Sequence, residues 1–137
     1  MSFDVKRVQY FNFTVGDRAG DASKLLSQVA GFGISLLAFK AVSIGTGRTQ
    51  FTLFPNDVNR LTDGSNKAGL ELDGPHSALL IEGGDKSGAL ADIFDKLSRA
   101  GITVDESSGI ADIHGGYGVV LYLSQEDCER AAAALRT

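Results

Sequence analysis

The sequence predicts an α+β fold: two tandem βαββαβ modules, each an antiparallel sheet with two helices on one face. Three observations carry this expectation. The chain repeats itself at an offset of 68 residues, each half alternates strand-like and helix-like apolar periods, and glycines stand where the periods change. The ungapped shift brings Asp17 onto Asp85, Gly20 onto Gly88, Gly33-Ile34 onto Gly101-Ile102, Gly47 onto Gly115 and Leu53 onto Leu121. Between these identities apolar character also matches, as in Leu25 with Ile93, Val29 with Leu97, Val42 with Ile110 and Phe51 with Val119. Two halves related in this way share one fold.

In the first half Phe11, Phe13 and Val15 alternate as on a strand, and 21–30 reads as a helix. Residues 34–44 and 49–54 read as strands flanking the turn Gly45-Thr46-Gly47, a glycine-bearing hairpin. A helix over 56–67 precedes a short strand around Leu70 and Leu72, and the join between the halves is Leu72-Asp73-Gly74-Pro75-His76. The second half repeats this order. Ala78 to Ile81 is an apolar strand, and Leu90, Ile93, Phe94 and Leu97 form the stripe of an amphipathic helix over 87–100 that Gly101 stops. Strands over 102–110 and 117–123 meet at His114-Gly115-Gly116, and 124–135 is a helix with Ser124 placed to cap it.

Units this short, with hairpin-joined central strands, fit the split βαβ or ferredoxin-like arrangement. The expected modules are 1–73 and 74–137. The second lacks its own fourth strand, because Ala131 to Thr137 is already committed to the last helix. Its first strand would then be an open edge, which proteins cover. Residues near Met1 to Arg7, the linker strand or a second subunit are the candidates to cover it.

Composition narrows the function. A net charge of −4 and a pI near 5.0 disfavour a phosphate-backbone partner, so no nucleic acid is expected. No apolar run approaches the roughly 20 residues that span a bilayer, and Met1 to Lys6 carry no leader pattern, so no membrane partner and a cytoplasmic location are expected. A single cysteine and two histidines offer neither a disulfide nor a zinc cluster, and no cofactor or metal is expected.

The segments Gly16-Asp17-Arg18-Ala19-Gly20 and Gly84-Asp85-Lys86-Ser87-Gly88-Ala89-Leu90 each follow an apolar strand and open a helix that ends at Gly33-Ile34 or Gly101-Ile102. Over nearly the whole chain this ordering resembles the ACT-domain family, whose signature is an Asp-x-x-Gly-x-Leu loop with Gly-Ile after the helix. The second repeat keeps all of it, whereas the first has Ala22 where leucine is usual. The resemblance implies tandem ACT-type modules in a non-enzymatic regulatory protein. It also implies a small-molecule ligand, an amino acid, held where modules meet; the exposed sheet edges favour a homodimer. The effector target is then expected on another chain. The implied contacts are Asp85, Lys86, Ser87, Gly88, Ala89, Leu90 and Ile102 in the second repeat, and Asp17, Arg18, Ala19, Gly20 and Ile34 in the first.

Physically, a loop entering a helix presents unpaired N–H groups and the positive end of the helix dipole, which suits a carboxylate. Asp17 and Asp85 could meet a ligand ammonium, or simply cap their helices, as aspartate commonly does. Asp21, in the first helical turn, would repel a bound carboxylate, so Asp85 to Leu90 is the better candidate. The remaining chemistry is weaker. His114 lies two residues from Asp112 but has no nucleophile tied to it, His76 sits in the linker, and Arg48 with Asn12 is the other conceivable polar pair. Gly45-Thr46-Gly47-Arg48 lacks the ending of a phosphate loop, and the pairs Glu71/Asp73 and Asp105/Glu106 supply too few oxygens for calcium. Acidic neighbours of Cys128 should raise its pKa and blunt its reactivity.

Overall fold

A computed structural model describes residues 3–84 and 88–137. Its contacts divide the chain into two compact units, Gln9–His76 and Met1–Val8 joined with Ser77–Thr137. The elements run β1 (Phe3–Gly16), α1 (Asp21–Gly31), β2 (Leu36–Gly45), β3 (Arg48–Pro55), α2 (Val58–Ala68), β4 (Asp73–Gly84), α3 (Ala89–Arg99), β5 (Glu106–Ala111), β6 (Gly116–Tyr122) and α4 (Gln125–Leu135).

The first module takes residues 9–16 of β1 and 73–76 of β4, and its strand order is β2-β3-β1-β4. Antiparallel pairing of β1 with β3 sets Phe11 against Leu53 and Phe13 against Phe51. Because side chains alternate along a strand, these four share one face, and they meet Leu25 and Val29 of α1 and Leu61 of α2 in one buried cluster. Asp57 caps α2, its side chain accepting the Arg60 N–H at 3.1 Å.

The second module has the matching order β1-β4-β6-β5, with residues 3–8 of β1 at one edge. Leu79 and Ile81 of β4, Val119 and Leu121 of β6, Ile93 and Leu97 of α3, and Cys128, Ala131, Ala132 and Leu135 of α4 form its core. Phe3 and Val5 pack against that core. The Val5 carbonyl accepts from Arg136 at 3.0 Å, Lys6 lies 3.8 Å from Glu82, Arg7 is ion-paired with Glu129, and Lys96 stands 5.5 Å over the Phe3 ring. The N-terminal segment thus supplies the fourth strand that the second half of the sequence lacks.

This changes the expected boundaries. The units are not 1–73 and 74–137, because the first eight residues go with the second module and the first ends at His76. The strand expected around Leu70 and Leu72 begins later, at Asp73. Gly69 ends α2 in the left-handed conformation, the Leu70 N–H bonds back to the Ser65 carbonyl, and both leucines pack on the first core from a loop. The strand expected from 102 begins at Glu106, because Ile102 donates to the Leu97 carbonyl at 3.0 Å and is held at the helix end. Ser124 occupies the N-cap of α4 without a side-chain hydrogen bond.

Candidate functional site

The starts of α1 and α3 share a left-handed glycine and differ in the residue that follows it. Gly20 and Gly88 are the N-caps, at φ 93° and 86°, a left-handed conformation that side chains disfavour. Neither glycine can supply a side-chain cap, and Asp17 is not the N-cap of α1. In the first module the Asp17 N–H donates to the Gly47 carbonyl at 3.1 Å, while the Asp21 carboxylate turns back over the loop. Asp21 Oδ2 accepts the Arg18 N–H at 3.0 Å and lies 3.7 Å from Arg18 Nε. It comes so close to Gly16 that a Cβ there would stand 2.5 Å away. The loop that opens α1 therefore already holds a carboxylate, one that a second anion at the same helix end would meet.

In the second module the residue equivalent to Asp21 is Ala89, and no carboxylate can take that place from it. Asp85, Lys86 and Ser87 lie outside the described residues. Beside Gly88 a groove of about 620 Å³ opens between α3 and β5. Ala89, Leu90 and Phe94 form its helical wall, and Leu90 and Phe94 are 56% and 37% exposed. Its floor follows from the β5–β6 register, which sets Ser107 against Leu121, Gly109 against Val119 and Ala111 against Tyr117. The face of β5 that continues the core is thus made of small residues, and a Cβ on Gly109 would stand 3.3 Å from Val119 Cγ2. Tyr117 completes the floor, and burial, aided by the Asp92 carboxylate, raises its phenol pKa and keeps it a neutral donor.

Of the expected contacts, the structure brings Gly88, Ala89 and Leu90 to this groove. Ile102 lies in the second core and Ile34 packs against the first, so neither lines it. Phe94, Ser107, Gly109, Ala111, Tyr117 and Val119 were not anticipated. Their signal in the sequence is Ser107-Gly109-Ala111 at alternate positions, beside exposed apolar residues four apart on α3.

The other candidates hold structural places. The Asp112 carboxylate accepts the backbone N–H of His114 at 3.2 Å, a local turn bond. His76 Nε2 lies 3.1 Å from Asp73 Oδ1, with its ring 5.1 Å from Tyr10. Asn12 pairs with Thr52 across the strands, Thr52 Oγ1 donating to Asn12 Oδ1 at 2.7 Å, whereas Arg48 sits opposite Gly16, four positions along β1. Two further depressions of about 570 Å³ each lie over charged surface that includes the ion pairs Arg7–Glu129 and Arg60–Asp57. Among the described residues no group of three or more His, Cys, Asp or Glu is placed to hold a metal ion, and no helix is long and apolar enough to cross a membrane.

Cys128 is fully buried, and that burial raises its thiol pKa; Arg7 opposes the rise, and Asp127 and Glu129 add to it. The folded chain then keeps a proton that the unfolded chain releases above the ordinary thiol value of 9.0. This contribution to stability is complete below about pH 9 and is lost as pH climbs toward the folded value. Urea midpoints should fall between pH 8 and pH 10, and the fall should be shallower in Cys128→Ala. Iodoacetamide should leave the native thiol unmodified at pH 8 and label it in urea.

No protein-family model matches the chain, and no curated protein matches it in sequence. Solved structures do match in fold. Protein BT0572 from Bacteroides thetaiotaomicron aligns at a TM-score of 0.81 and 15% identity, over 96% of this chain and 88% of that one. The regulatory subunit of aspartate kinase from Thermus thermophilus aligns at 0.68 and 16% identity, over 99% of this chain and 95% of that one. E. coli aspartokinase III, solved in complex with lysine and aspartate, aligns at 0.51 and 14% identity, over 99% of this chain and 32% of that one. The α+β architecture of two ferredoxin-like modules is thus a fold that this chain shares, over nearly its full length, with the Thermus thermophilus structure.

Proposed function

We propose that this chain is a non-enzymatic regulatory protein that binds a free amino acid in the groove between α3 and β5 of its second module. The observation that carries the reading is the asymmetry at the starts of α1 and α3. In the first, the Asp21 carboxylate occupies the loop beside the helix start; in the second, alanine stands in that place and Gly88 and Ala89 line a groove. The amino-acid carboxylate meets the N–H groups of the first turn of α3, with the glycine at 88 allowing close approach. The regulatory fold shared with the Thermus thermophilus subunit supports the role, and aspartokinase III supports the class of ligand. Binding shifts the chain between states only if the ligand prefers one of them, and association of two copies is the state we assign to that shift.

A thermal-shift panel of the twenty amino acids tests this. A ligand present at 100 times its Kd adds about 2.7 kcal/mol to stability, which is a rise of several degrees in Tm. Gly88→Val should remove the rise. Uniform silence at millimolar concentrations contradicts the proposal. A second reading, an interaction module without a ligand, is favoured by the apolar edge strand β2, where Leu37, Phe39, Val42 and Ile44 are exposed. Light scattering separates the two: dimerisation indifferent to every amino acid supports the second.

A further inference from the structure

From the lining of the groove we infer that its ligand carries an apolar side chain of about leucine to phenylalanine size; this rests on the reading of the groove as an amino-acid site. Leu90 and Phe94 form an exposed apolar wall, Val119 and Tyr117 continue it, and Ser107, Gly109 and Ala111 leave open the space opposite. No described residue of the lining is charged. A lysine or aspartate side chain placed there surrenders its hydration without gaining a partner, which disfavours it strongly. An apolar side chain gains instead. Each buried methylene tightens binding about fourfold, so leucine should bind on the order of 50-fold more tightly than alanine.

The first module is a control built into the same chain. At the position of Ser107 it has Phe39, which faces Leu53 as Ser107 faces Leu121, and at the position of Ala89 it has Asp21. A bulky ring and a carboxylate thus stand at the positions where the second module has a serine and an alanine. One site per chain, in the second module, follows.

Isothermal titration of the full chain with leucine, phenylalanine, alanine, serine, lysine and aspartate tests the inference. The expected result is one site per chain for leucine or phenylalanine, at least tenfold weaker binding of alanine, and no heat from lysine or aspartate. Ser107→Phe and Leu90→Gln alter exposed positions and should each weaken leucine binding tenfold or more without moving the unliganded melting temperature. Ala89→Asp, which copies the first loop, should abolish it. Tighter binding of lysine, aspartate or serine than of leucine overturns the apolar class while leaving an amino-acid site standing. Silence from all six, with silence in the full panel, removes the site itself. Leucine binding unchanged in both Ser107→Phe and Leu90→Gln places the ligand elsewhere and also overturns the inference.

Discussion

Removal of residues 1–8 should cost the second module about 5 kcal/mol, enough to unfold it in a chain of ordinary stability. Phe3 and Val5 pack half-buried on the core built by α3, α4, β4 and β6, and each contributes up to about 1.5 to 3 kcal/mol, the value for full burial. Hydrogen bonds of about 1 kcal/mol each are lost with them, including the one from Arg136 to the Val5 carbonyl. The deletion also exposes the edge of β4, whose residues 77–84 carry the buried Ala78, Leu79 and Ile81. An open apolar edge invites aggregation, so the truncated chain should also lose solubility. Urea unfolding followed by hydrogen exchange at Leu79, Ile93 and Leu121 provides the measurement. Native protection at those amides in the truncated chain would mean that the strand is ornamental.

Gly74→Ala should destabilise the first module by about 3 kcal/mol or more. Gly74 has φ 145°, a conformation that a side chain resists, and a Cβ there would stand 2.8 Å from the Tyr10 carbonyl oxygen and 2.9 Å from Phe11 Cδ2. Neither neighbour can retreat cheaply, since one is strand backbone and the other belongs to a fully buried ring. Gly84→Ala serves as the control within the same strand: among the described residues its Cβ meets nothing within 4 Å, and its backbone needs no left-handed conformation. Denaturation curves of the two variants should differ widely in midpoint, with Gly84→Ala within about 0.5 kcal/mol of the parent.

Much of this architecture is legible in the sequence because it is written locally and twice. The stripe Ile93, Phe94 and Leu97, the stop at Gly101 and the turn at Gly115 are short-range signals, and each has a partner 68 residues earlier. What escaped is what depends on distant residues. Phe3 and Val5 alternate with Asp4 and Lys6 as an edge strand does, but nothing near them says that they pair with a strand more than 70 residues away. Gly74-Pro75 read as a break between modules because glycine and proline end most strands; here β4 runs through them. The candidate loop was half legible. Asp17 and Asp85 looked like the functional acids because they match each other, yet in the first loop the decisive carboxylate is Asp21, which has no counterpart. The groove was not legible at all. It arises where β5 presents small residues to a helix whose outer side chains find no cover, and that depends on register, not on composition.

The proposed ligand occupies one site, in one module, at one helix end. Titration of uniformly ¹⁵N-labelled protein with leucine, read from backbone amide shifts, tests it most directly. Saturable changes are expected at Gly88 to Phe94, at Ser107 to Ala111 and at Tyr117 to Val119, and none at the equivalent residues Gly20 to Leu26, Phe39 to Ser43 and Thr49 to Phe51. Shifts confined to the first module, or spread equally over both, would contradict it.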